Sequence, residues 1–197
     1  MQDRLCWIDA VGYENADEAL KSIYDAVRSP AGDLDNLYQA FSLTPHTIKP
    51  AHDLYRAVLH HPGNRLPKWF SELIATFVAM LADCEYALTH HGRNFAHLLG
   101  DPARAEAILK RLREGNLDDG HPESWIAAQE VSALAYARKL CLEPERVDRA
   151  DVEALSDRGW SDGEILEIVQ IVATFSYFVR VINGVGISLR GERIGLY

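Results

Sequence analysis

Cysteine is scarce: Cys6, Cys84 and Cys141 are the three in 197 residues, odd in number and far apart. A disulfide framework is therefore excluded as the source of stability, and any one thiol is of interest for its reactivity. Strand signals are almost absent as well, most segments repeating apolar residues at helical spacing. No stretch offers a concentrated basic face, and the net charge is -9, which argues against a nucleic-acid partner. The short run Lys110, Arg111, Arg113 reads as a solvated helix end, where cations suit the negative pole. No apolar stretch is expected to reach the roughly 18 residues a membrane span needs, and the opening MQDRLCWIDA has no signal-peptide core. The expectation is a cytoplasmic protein with no membrane partner.

What is present is ordinary globular material: 48% hydrophobic and 25% charged residues, enough chain for one sizeable core. The reading is a single all-α domain over residues 1–197. Asn15-x-x-Glu18 resembles a capping box opening a helix that Pro30 and Gly32 stop. A short helix passes through Leu34, Leu37 and Phe41. Pro50 demands either a kink or a helix starting there and running to about His60, with Leu54 and Val58 inward. Pro67 fits the first turn of the next helix, which is apolar from Leu73 to Ala82 except at Thr76. Helices from Cys84 to Gly100 and from Asp101-Pro102 to Arg113 follow, then the turn-rich linker GNLDDGHP. Pro122 opens a helix with Ala127, Val131, Leu134 and Cys141 on one stripe. A short helix around Val152 and Leu155 precedes a second capping box, Ser161-x-x-Glu164, and a long apolar helix to Asn183-Gly184. Two such apolar helices suggest a central pair or a subunit interface, and hence a homo-oligomer.

The chemistry concentrates in Ser71–Phe95, within a core motif of about 67–100. On one straight helix Glu72 and Cys84 would lie roughly 18 Å apart and could not cooperate. With a break at Asp83, acting as N-cap, the second helix can fold back and return its side chains towards Glu72. Cys84 then takes the first helical position, where backbone N–H groups favour a thiolate while Asp83 and Glu85 oppose it. Position 87, one turn before His91 on the same face, is where a side chain would meet that imidazole. His90 and His91 point about 100° apart and His97 lies nearly two turns on, so no metal centre is expected.

Glu72, eleven residues, Cys84, two residues, Ala87, three residues and His91: this pattern resembles the alkylhydroperoxidase AhpD / carboxymuconolactone decarboxylase family. DCEYALTHHG is similar to the branch of uncharacterised peroxidase-related proteins, and the likeness extends to HDLYRAVLHH, RADVEALSDRGWSDGEILEIV and the final helix through Arg180. The resemblance implies an all-helical, oligomeric, cofactor-free thiol peroxidase acting on a small-molecule peroxide. Its second CxxC thiol attacks, a histidine and a carboxylate activate it, and the first thiol resolves the sulfenic acid. By position Glu72 and His91 match the relay and Cys84 the resolving thiol, while the attacking thiol falls on Ala87. Two readings follow. Cys84 acts alone and is cleared by an external thiol reductant, or the pocket serves a decarboxylase-like or isomerase-like proton transfer by His91 and Glu72, or only binds.

Overall fold

The computed structural model describes residues 4–117 and 126–195, and among them the regular structure is helical throughout. Nine α-helices follow one another: α1 (Glu18–Asp25), α2 (Asn36–Ala40), α3 (Ile48–His60), α4 (Lys68–Leu81), α5 (Glu85–Leu99), α6 (Pro102–Arg113), α7 (Ala128–Leu142), α8 (Arg149–Asp157) and α9 (Asp162–Val185). The all-α expectation holds.

Several boundaries carry their reasons in single residues. Asp17, rather than Asn15, caps α1 by accepting from the Leu20 N–H; Asn15 lies in a 3-10 turn. Helix α3 begins two residues before Pro50. The ring then sits in the first turn, whose N–H groups have no intrahelical partner to lose, so no kink is needed. The inward face of α3 is Ile48, Ala51 and Leu59, whereas Leu54 points to solvent, contrary to expectation. Pro67 stands as the N-cap of α4 rather than inside its first turn. Asp101 caps α6, and Ser161 with Glu164 forms the full reciprocal box that starts α9. The expected start at Pro122 lies outside the described residues; α7 begins after Ala127.

Helix α4 is the axis of the fold. Every residue from Phe70 to Ala79 is buried, and each large side chain among them is worth about 1.5–3 kcal/mol over its exposed state. It packs on α5, α7 and α9. One apolar cluster gathers α4, α6, α7 and the first half of α9. A second gathers the N-terminal segment, α1 to α3, the α4–α5 corner and the end of α9, and Tyr55 packs against both. Of the two readings for the apolar helices, α4 takes that of a central pair: it packs on α9 and is enclosed by its own chain from Phe70 to Ala79. On α9, Leu166 and Tyr177 remain exposed. That helix also corrects the reading of membrane-length stretches. Its best 18-residue window has a mean hydropathy of 1.8, and half of that window is buried in the fold.

Candidate active site

The α4–α5 corner makes the site. Helix α4 closes with a Schellman pattern: the Asp83 N–H donates to the Met80 carbonyl (3.2 Å) and the Cys84 N–H to the Ala79 carbonyl (2.9 Å). Asp83 adopts the left-handed conformation that motif requires, at φ 51°. It therefore ends α4 instead of capping α5, and Cys84, in extended backbone, is the N-cap residue. The break falls where the sequence suggests, with the two roles moved by one residue. Asn183 of α9 ties the corner down by donating to the Ala82 carbonyl at 2.9 Å.

Helix α5 consequently runs back beside α4 and brings together residues nineteen apart. The His91 Nδ1–H donates to the Glu72 Oε2 at 2.7 Å, with both side chains buried. Phe175 meets the His91 ring edge-on, centroids 4.6 Å apart, and Tyr55 stands 6.1 Å away on another side. Because the Glu72 carboxylate claims the Nδ1 proton, Nε2 is left as the basic nitrogen of His91.

His90 has the opposite arrangement. Its Nδ1 accepts from the Gly195 N–H (3.2 Å), so Nε2 carries the proton and faces Glu192 Oε2 at 3.3 Å. Glu192 is itself nearly sealed from solvent. Its Oε1 accepts from the Tyr86 hydroxyl (2.6 Å) and the Asn36 backbone N–H (2.5 Å). Gly195 is required at its position by close approach, since a Cβ there would stand 2.6 Å from Asn94 Oδ1. His90 is thus committed to holding the C-terminal segment, and His91 is the imidazole left for chemistry.

A cavity of about 70 Å³ opens between these elements. Tyr38, Tyr55, Phe175, Phe178 and Ile182 give it an apolar body, and Ala87, His90 and His91 form its α5 wall. Half-buried Asp33 and exposed Arg193, 3.6 Å apart, lie on its solvent side. Cys84 is absent from its lining: the thiol is fully buried among apolar neighbours. Burial pushes that thiol up, against a smaller opposing pull from the N–H groups of Ala87 and Tyr86. A second cavity, about 260 Å³, lies across the dyad and is lined by Glu72, His60, Arg56, Lys68 and Asn94. Burial holds His60 down to about 4, which keeps it neutral.

Sequence reasoning missed Asp35, Glu192, Asn36 and Tyr86. Asp35 lines the first cavity, where burial, reinforced by the Glu192 charge and eased by His90 and His91, raises its carboxyl to about 6. It stands at the N-cap position of α2 but makes no capping hydrogen bond, so the side chain is not spent on the helix. Its signal was a carboxylate set between the apolar Leu34 and Leu37. Glu192 follows the last helix in a polar tail, and nothing in that tail announces its burial. Among the described residues no cluster of three or more His, Cys, Asp or Glu could hold a metal ion. Cys6, Cys84 and Cys141 are all free.

No protein-family model and no curated protein matches the chain. Solved structures do. The alkylhydroperoxidase AhpD core of an uncharacterized peroxidase-related protein from Ralstonia eutropha JMP134 aligns with a TM-score of 0.74 at 20% identity, over 94% of this chain and 92% of that one. An uncharacterized peroxidase-related protein from Silicibacter sp. TM1040 aligns at 0.76 and 21%, with the same coverage. The debrominase Bmp8 aligns at 0.70 and 16%, over 96% and 94% of the two chains. It is also known as a cysteine-to-alanine variant in complex with 2,3,4-tribromopyrrole. At these identities the likeness is one of fold: the chain has the all-helical fold of the alkylhydroperoxidase AhpD core.

Proposed function

We propose that the protein catalyses proton transfer at a carbon beside a carbonyl group of a small substrate, with His91 as the base and Glu72 orienting it. One observation carries this reading. A buried imidazole with its Nδ1 proton held at 2.7 Å by a carboxylate forms the wall of a cavity. The residue one turn before it on that wall is Ala87, and the nearby thiol lies outside the lining. An oriented neutral imidazole is suited to take a proton from carbon. The carboxylate stabilises the imidazolium that forms, as a second partner does for a catalytic or metal-bound histidine. The test is exchange of the carbon-bound protons of hydroxyacetone into D2O, followed by proton NMR. Cys84→Ser should exchange at the wild-type rate and His91→Ala at the background rate. Equal rates in wild type and His91→Ala would defeat the proposal.

A second reading is thiol-dependent peroxide reduction by Cys84 alone, with an external thiol as reductant. The support for it is the position of Cys84 at the α5 N-cap, where the Ala87 and Tyr86 N–H groups favour the thiolate, together with two fold neighbours described as peroxidase-related. Peroxide consumption with dithiothreitol decides it: loss of the activity in Cys84→Ser supports this reading, and an unchanged rate removes it. Assembly into a homo-oligomer is also proposed, supported by the exposed Leu166 and Tyr177 of α9. Light scattering at micromolar concentration tests it, and a monomer there would refute it.

A further inference from the structure

Helix α2 is short and its N-cap residue is not used as a cap, although aspartate is among the best residues for that purpose. The Asp35 side chain instead faces the cavity that His91 also lines. Its surroundings can be named from every side. Glu192 and Asp33 add negative charge, His90 and His91 temper it, and Tyr38 of the same helix lies beside it. Arg193, the cation among the lining residues, is turned to Asp33 at 3.6 Å. The cavity therefore has an imidazole of α5 and a carboxyl at the start of α2 in one lining, together with the rings of Tyr38, Tyr55, Phe175 and Phe178. Among the described lining residues Arg193 is the one Arg or Lys, so an anionic ligand would compete with Asp33 for it.

We propose that Asp35 is a second catalytic residue of this site, donating a proton to the carbonyl oxygen of a small uncharged substrate while His91 takes one from the adjacent carbon. This rests on the reading of His91 as the base. In the step, the C–H bond breaks and its proton goes to His91 Nε2. The C–H electron pair becomes the new carbon–carbon π bond. The carbonyl π pair takes the Asp35 proton, leaving an enol, an imidazolium and a carboxylate; the reverse step returns solvent deuterium to carbon. Burial keeps the acid form populated up to about pH 6, above the ordinary carboxylate range. Size points the same way as charge. A cavity of about 150 Å³ is known to admit benzene, so the 70 Å³ here suits a ligand of a few non-hydrogen atoms, with any longer substituent reaching the solvent side.

Hydroxyacetone and pyruvate, close in size and different in charge, are the probes, with exchange into D2O read by proton NMR between pH 5 and 9. Wild type should show a lower KM for hydroxyacetone, and its rate should fall as pH rises through about 6 because the acid form is lost. Asp35→Asn should slow hydroxyacetone exchange about 100-fold, abolish that alkaline fall, and narrow the KM preference over pyruvate. If His91→Ala is inactive but Asp35→Asn keeps the wild-type rate, pH profile and preference, this assignment is overturned while the role of His91 stands. If wild type exchanges neither probe above background, the base reading itself fails, and this one with it.

Discussion

Asp35→Asn should make the protein more stable at neutral pH while making it a poorer catalyst. The Asp35 carboxyl is held at about 6 instead of 3.8, chiefly by desolvation. Holding it there disfavours the ionised form in the folded state by about 3 kcal/mol. The sign follows from proton uptake. Between 3.8 and about 6 the folded chain keeps a proton that the unfolded chain has lost, so the contribution of Asp35 to stability falls as pH rises through that window and is flat above it. Asparagine has the same shape and no charge, and no capping hydrogen bond is lost with it. The variant should therefore exceed wild type by up to about 3 kcal/mol above pH 7 and converge with it below pH 4. His60 works in the opposite sense. Held down to about 4 by burial, it stays neutral while the unfolded histidine charges, so it costs stability as pH falls below 6.5. Wild type alone would hide both effects, and only the difference between wild type and variant isolates Asp35. Urea unfolding followed by circular dichroism at half-unit pH steps measures that difference. A gap that is independent of pH from 4 to 8 would refute the argument.

Other substitutions probe other parts of the structure. Ala87→Cys puts a thiol on the cavity wall three residues after Cys84; peroxide consumption with dithiothreitol should rise well above wild type, and an unchanged rate would show that the wall does not present position 87 to ligands. Phe175→Ala removes a fully buried ring that holds His91 edge-on, and should cost about 3–5 kcal/mol in urea unfolding and slow proton exchange as well. Asp83→Gly relieves a left-handed residue and should raise stability by about 1 kcal/mol without changing activity, as read from melting temperature and exchange rate. Gly195→Ala forces the C-terminal segment off His90 and Asn94, and should speed amide exchange at the Gly195 end of the chain while leaving the α4 amides protected.

The parts of the fold legible in the sequence are those that a short stretch decides. Caps such as Ser161–Glu164, the apolar run of α4 and the left-handed Gly100 are local, and each helix they bound is present. The meeting of Glu72 and His91 was legible too, because one break between two helices leaves few ways to return a side chain nineteen residues along. Where the reading slipped, the competing force was also local but closely balanced. Asp83 can cap a helix or enter the left-handed region, and the Schellman closure of α4 decides for the second. Leu54 faces outward because it lies well round the helix from the stripe of Ile48, Ala51 and Leu59, which is the side that packs. Asp35 on the cavity wall and Glu192 behind it were invisible for a different reason. Asp35 and Glu192 reach the site from opposite ends of the chain, and no periodicity links residues 156 apart such as Asn36 and Glu192.

The two adjacent histidines show why the charge of Glu192 matters to a site it does not line. The Glu192 carboxylate gives the His90 Nε2–H its acceptor and holds the Tyr86 hydroxyl as a donor, whose own ionisation is suppressed by burial and by the neighbouring charge. The same charge raises Asp35, which keeps an acid available beside His91. Removing it in Glu192→Gln should therefore act at a distance. The Asp35 carboxyl should move back towards the ordinary carboxylate range, so the fall in hydroxyacetone exchange with rising pH should begin at lower pH. The loosened C-terminal segment should also admit pyruvate more readily. A merely structural role for Glu192 would lower the rate at every pH by one factor and leave the shape of the profile untouched, and that outcome would uncouple the C-terminal segment from the chemistry.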